Sequence, residues 1–437
     1  NKCSIKEGDV FITRTSETFE ELGITCVSLK DYQDAAFNGF TKRLRPNNKV
    51  EIDSEFSSFY FKSLYFRRQV SSLTTMTTRA SLNNEMLEKL TIILPPIDKQ
   101  KEIAKILVDC HNKIALNRKI NQTLEYIAQA IFKSWFVDFE PVKAKIQAKQ
   151  NRRARQDGER SGSQRKTPNV PSDSTWPEAQ AGAGAEADPE RAAMCAISGK
   201  TDAELDAFLE ASTPEQCQQL TATAALFPDE LEDSGLGLIP KGWDIKPLDV
   251  IANYQNGLAL QKFRPEDEND YLPVVKIAQL KKGFAGGEEK ASPNIKTECI
   301  IDDGDVVFSW SGSLTVDLWC GGRAALNQHL FKVTSDQYPR WFYLFWTKYH
   351  LVRFQQIAAD KAVTMGHIKR SHLKEALCFV PNKELFRHDL IDKLVSKQIA
   401  TRLECVTLES LRDFLLPKLL SGEITLDSAQ SKTEAVA

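Results

Sequence analysis

Two groups of polar side chains in this 437-residue chain are of the types that read a nucleic-acid surface. In the first group Arg14 and Thr15 follow a strand pattern, Lys42, Arg43 and Arg45 interleave with Phe40, and Thr78, Arg79 and Asn83 lie in a hydroxyl- and amide-rich stretch. In the second, Gln255, Lys262, Lys281, Lys282, Trp310, Ser311, Asn327, His329, Lys361, His367, Lys369 and Arg370 fall in loops between apolar runs. Arg, Asn and Gln can make paired hydrogen bonds to purine edges, while Lys, Ser and Thr hold phosphates. One such loop alone reads better as a solvated turn, but several in each group point the same way.

Residues for catalysis are not found. The chain has no GxxxxGK[ST] loop, no GxGxxG after a strand, no HExxH and no Asn- or Asp-Pro-Pro-aromatic tetrapeptide. The string GGEEK at 286–290 reads as a surface turn rather than a nuclease carboxylate pair, and His329 and His367 have no Cys or Asp at ligand spacing, so no metal site is expected. Nine scattered cysteines suggest neither a zinc knuckle nor a disulfide framework and fit a reducing cytoplasm. No run is apolar enough for a membrane span, and no targeting pattern is read, although the chain begins at Asn1 without a methionine.

A net charge of −2 argues against nucleic acid only as an average. Residues 171–240 carry fourteen acidic side chains against Arg191 and Lys200, a local charge of −12, which leaves +10 for the remainder. A positive body with an acidic insert remains a phosphate-binding candidate.

The elements that must hold these loops repeat. IKEGDVFIT at 5–13 matches IDDGDVVFS at 301–309, each a Gly-Asp turn feeding a strand, and 77–96 matches 363–381, each a turn, a short helix, an apolar strand and a closing proline. A long helical pattern follows each proline. In 97–136 Ile103, Ile106, Cys110, Ile114, Ile120, Leu124, Ile127 and Ile131 form one stripe, with Asn117 where an apolar residue is due; in 383–420 Ile391, Leu394, Ile399, Cys405, Leu408, Leu411, Leu415 and Leu419 form another. A helix of this length spans about 60 Å, and its stripe must be covered, either by its own globular unit or, as the matching lengths favour, by the other helix as a coiled coil.

The first helix runs into Phe132, Trp135, Phe136 and Phe139 and is expected to stop at Pro141; the second carries Phe414, Leu415 and Leu419 near its end. These apolar ends are expected to pack on the opposite unit and to dock partner subunits, with an ordinary core patch as the alternative. Residues 149–166 and 167–190 read as disordered linker, and 201–227 as two short helices, the first capped by Thr201 or Asp202 and the second begun by Pro214.

With these residues in view, LPPIDKQKEIAKIL, NRKINQTLEYIAQAIFKSWFVDFEPVKAK, TAALFPDELEDSGLGLIPKGW and DFLLPKLLSGEI closely resemble the specificity subunit of type I restriction-modification enzymes. The resemblance implies an α+β chain with two globular strand-rich target recognition domains separated by two long antiparallel coiled-coil helices. Its expected boundaries are 1–95 for the first recognition domain, 96–145 for the first helix and 146–240 for a linker with a helical insert. The second recognition domain then takes 241–381, the second helix 382–427, and a disordered tail 428–437. Each domain would read half of a split DNA target, with the helix pair fixing the gap. The chain itself would perform no chemistry and bind no cofactor; two modification subunits would bring S-adenosylmethionine and adenine methylation, and restriction subunits ATP, Mg and cleavage. The first domain has no counterpart of residues 243–300 before its Gly-Asp turn and is expected to lack its opening strands. The rival readings are a scaffold that binds those partners without reading DNA and a nuclease or methyltransferase with a cryptic site.

Overall fold

The computed structural model describes residues 4–17, 21–47, 49–73, 80–161, 188–360 and 366–434. Its contacts divide the chain into one unit of residues 1–121 with 400–437 and a second of residues 122–399. In the first unit β1 (Val10–Thr13), β2 (Thr15–Ser16), β3 (Thr25–Val27) and β4 (Thr41–Leu44) precede α1 (Ser54–Tyr60), α2 (Leu64–Leu73), β5 (Ala80–Ser81) and α3 (Asn84–Glu88). β1 is the central strand, antiparallel to β3 and β4, and its alternation turns Val10 and Ile12 inward. Those side chains share a core with Phe56 and Tyr60 of α1, Phe66 of α2 and Phe61 between them.

Next come α4 (Ile97–Phe136) and α5 (Glu140–Ser161), then α6 (Pro189–Ser198), α7 (Asp202–Ala211) and α8 (Pro214–Ala225). Thr201 and Thr213 cap α7 and α8 in reciprocal capping boxes, and Pro214 occupies the first turn of α8, as their sequence indicates. The hairpin of β6 (Leu231–Ser234) and β7 (Gly237–Pro240) leads into β8 (Asp244–Pro247), α9 (Leu248–Ile251), β9 (Asn253–Asn256), β10 (Leu272–Val275), α10 (Ile277–Lys282), β11 (Lys290–Ala291), β12 (Ile300–Ile301) and β13 (Val306–Ser309). Then follow β14 (Val316–Leu318), β15 (Ala324–Leu326), β16 (Leu330–Thr334), α11 (Arg340–Asp360), α12 (Arg370–Glu375), β17 (Leu377–Val380), α13 (Leu390–Ser421) and α14 (Leu426–Glu434). One four-stranded sheet has the order β14-β13-β16-β9, all antiparallel, and a second the order β11-β10-β15-β12.

The two long helices pair. In the first unit Leu107 shares a core with Leu415 and Leu416 while Ile114 packs with Cys405 and Leu408. In the second, Gln398 donates to Glu125 at 2.7 Å and Trp135 lies 5.5 Å from the His388 ring. Moving forward along α4 moves backward along α13 in each unit, so the pair is antiparallel. The expected stripe holds through Ile103, Ile106, Cys110, Ile114 and Asn117, all buried, and departs beyond them. The seam on α4 takes Ile103, Leu107, Cys110, Ile114, Asn117 and Asn121, an alternation of three- and four-residue steps, and then Ala128. Asn117 and Asn121 therefore occupy seam positions, and Ile127 is exposed on the flank.

Four other expectations need correction. The first helix ends at Phe136, not at Pro141: Phe139 takes a left-handed φ of 56° and Pro141 lies in the first turn of α5. Residues 149–161 are helical rather than linker, because Val142, Lys145 and Ala148 anchor α5 on the insert, Lys145 donating to the Phe227 carbonyl at 2.9 Å. Residues 426–434 form α14, which lays Ala429 into the first unit's core. Phe132, Trp135, Phe136 and Phe139 do pack on the second strand-rich unit as expected, with Trp243, Trp341, Phe342 and Trp346, but as the core patch that was the alternative: these four and Leu415 are buried rather than exposed for docking. Leu419 is half-buried, and only Phe414 is well exposed, lying under Lys418 at 4.7 Å.

The repeat extends to individual hydrogen bonds. Gly8 and Gly304 both take a positive φ; the following Asp9 and Asp305 accept from the amides of Lys6 and Asp302, each at 2.8 Å. The chain is α+β, with two strand-rich units, an antiparallel pair of long helices and an internal pseudo-repeat.

Candidate nucleic-acid interface

In the second unit, the loops leaving β13 and entering β16 bring several of the candidate residues together. The Trp310 indole donates to the Gln328 carbonyl at 3.1 Å and its ring lies 6.0 Å from His329 and 6.4 Å, edge-on, from His367. Ser311, buried, shares a 2.9 Å hydrogen bond with His329 Nδ1 and bridges to His367 through the backbone. Asn327 is buried, and its Oδ1 accepts from the His329 amide at 3.2 Å. Gly257 is required beside it, since a Cβ there would run into the carbonyl oxygens of Leu326 and Asn327. The Arg370 guanidinium lies over Phe331 at 5.6 Å and donates to the Tyr254 carbonyl at 3.0 Å. Lys281 donates to Ser313 at 2.5 Å, which ties α10 to the same loop.

Trp310, Ser311, Asn327, His329 and His367 thus form one network, while Arg370 and Lys281 are held by residues next to it. Lys262 is exposed at the end of a 3-10 turn and Lys282 at the end of α10, Gln255 turns back to the Asn256 carbonyl at 3.0 Å, and Lys369 caps the start of α12. Lys361 lies outside the described residues.

In the first unit the equivalent loops reproduce the backbone. The Arg14 amide donates to the Phe40 carbonyl at 2.8 Å, as Trp310 does to His329 at 3.3 Å; Leu82 donates to Arg14 at 2.8 Å, as Ile368 does to Trp310 at 3.0 Å. Thr15 pairs with Ser81 where Ser311 pairs with His367, and Asn83 and Lys369 each precede a short helix. Arg14/Trp310, Thr15/Ser311 and Asn83/Lys369 are therefore matched positions.

The first unit's cations are more committed than their types suggest. Burial raises the pKa of Asp9, but the Arg45 guanidinium, bonded at 2.6 Å, and the Lys6 amide outweigh it and hold the carboxyl below its usual range. Arg45 is thereby a structural ion pair and not a free phosphate ligand. Arg43 donates to the Ser4 carbonyl at 2.9 Å, and Lys42 to Asn84. Thr78 and Arg79 lie outside the described residues. Among the described residues no group of three His, Cys, Asp or Glu is placed to hold a metal ion, and no helix is long and apolar enough to cross a membrane. Sequence reasoning missed the match between Phe40 and His329; the available signal was the recurrence of Asn two residues before each, in NGF and NQH, just ahead of a strand.

Residues 1–126 match the family described as Type I restriction modification DNA specificity domain. The chain is 27% identical over 355 residues to the type I restriction enzyme HindI specificity subunit of Haemophilus influenzae, covering 78% of this chain and 70% of that protein. It is 21% identical over 390 residues to the MjaIX specificity subunit of Methanocaldococcus jannaschii, covering 87% and 71%. A crystal structure of a type I S subunit from M. genitalium aligns over 95% of this chain and 84% of its own, at 12% identity and a TM-score of 0.42. Residues 1–126 thus match a type I restriction-modification DNA specificity domain, and over most of its length the chain is similar to specificity subunits of type I restriction enzymes.

Proposed function

We propose that this chain reads a bipartite duplex DNA sequence for a type I restriction-modification complex, each unit contacting one half of the target. The observation that carries the reading is the matched pair of loop networks: Arg14 and Thr15 in one unit and Trp310 and Ser311 in the other are held by corresponding backbone hydrogen bonds. A fold that conserves the frame and varies the side chains suits two readers of different sequences. The chain supplies recognition only. Adenine methylation with S-adenosylmethionine belongs to two modification subunits, and ATP- and Mg-dependent translocation and cleavage to restriction subunits.

Mapping methylated adenines in the host genome with and without this chain tests the proposal. The expected result is two short defined half-sites split by a constant gap, methylated only when the chain is present. A pattern of methylation unchanged by its loss would refute it.

A further inference from the structure

We propose that the turn Asn38–Thr41 is a base-reading site of the first unit, in which Phe40 contacts the 5-methyl group of a thymine and Asn38 is the positioning residue. The inference rests on the DNA-reading function proposed above. Asn38 Oδ1 accepts from the Phe40 amide at 3.1 Å, and Asn327 Oδ1 accepts from the His329 amide at 3.2 Å. The Thr41 amide donates to the Asn38 carbonyl at 3.2 Å, and the Leu330 amide to that of Asn327 at 3.0 Å. In both units the third residue of the turn then uses its own carbonyl to accept from the loop after the central strand, Arg14 or Trp310. The two turns are one device with a different side chain at the tip.

That difference carries the chemistry. His329 is half-buried, bonded to Ser311 and set beside Trp310, and it offers a polar ring edge. Phe40 is 63% exposed. A phenyl ring has no donor or acceptor for a base edge, and the thymine methyl is the apolar mark in the major groove. A flexible exposed Phe would carry no such meaning; here the backbone of Phe40 is fixed on its amide by Asn38 and on its carbonyl by Arg14. Lys42 and Arg43 follow directly in sequence on β4.

The test uses the complex of full-length chain and modification subunits, with duplexes in which each base pair of the half-sites is varied, at one fixed salt concentration. Phe40→Ala should lower discrimination at a single thymine-bearing position by about tenfold and leave the other half-site untouched. Phe40→His should change the preferred base at that same position. Asn38→Ala should weaken discrimination there although Phe40 is intact, and Asn38→Asp, which keeps the accepting oxygen, should restore it; unchanged melting temperatures separate this from a folding defect. Native discrimination that survives both Phe40 substitutions overturns this inference alone. A native complex that binds all duplexes equally overturns the DNA-reading function, and this site with it.

Discussion

Residue type leaves open whether a side chain is available. Arg45 is an exposed-looking arginine in a basic run, yet the buried Asp9 carboxylate claims it; Trp310 packs partly against the core and also lines the candidate interface. His350 shows the energetic side of burial. It stacks on Trp346 and donates from Nε2 to the Leu377 carbonyl at 3.0 Å, and burial pushes its pKa down from 6.5 to about 4. The unfolded chain therefore binds a proton that the folded chain refuses between these values. Stability is full above pH 6.5 and falls as pH drops towards 4, by about 3 kcal/mol from this group. Denaturant midpoints should fall over that window, and His350→Gln should flatten the fall; an equally steep slope in the variant would assign it to other groups.

At the scale of elements, the long helices, their pairing and the insert helices α7 and α8 were legible because each has a local signature, a 3.5-residue apolar period or a capping box. What was not legible is which side of α4 faces its partner. Asn117 sits in the stripe as expected, but beyond it Ile120 and Ile127 drew the expectation off course, whereas the pairing places Asn121 in the seam, opposite a helix that buries Thr401 and Cys405. Polar seam residues specify register at a cost in stability. Nor could sequence show α5, whose charged end resembles linker until Lys145 is seen bonded inside the insert. The seam gives a measurable consequence. Asn117→Leu, at a position 2% exposed beside Ile114, should stabilise the chain by about 1 kcal/mol, since a buried amide is exchanged for an apolar side chain. A rise of roughly 2–4 °C in melting temperature is expected; a decrease would mean that the amide is better satisfied than an apolar seam allows.

Across the whole molecule, the repeat IKEGDV/IDDGDV marked two units correctly because its glycines and aspartates are fixed by backbone geometry, as Gly8 and Gly304 show. The matched reading loops shared too few side chains to be aligned by eye. Each unit also closes a core of its own. The first gathers Phe56, Tyr60, Phe61 and Phe66 with Leu107 and Leu415; the second gathers Trp135, Phe136, Trp243, Trp341, Phe342 and Trp346. Substitutions in cores that share no partners act independently. Phe66→Ala removes a ring 1% exposed and 4.9 Å from Phe61, a loss of about 3–5 kcal/mol for a buried phenyl group. Calorimetry should resolve two transitions, with Phe66→Ala lowering one by roughly 10 °C and the other by no more than about 2 °C. If the scan instead gives a single transition that moves as a whole, the two cores unfold together and α4 and α13, which contribute to both, transmit the loss.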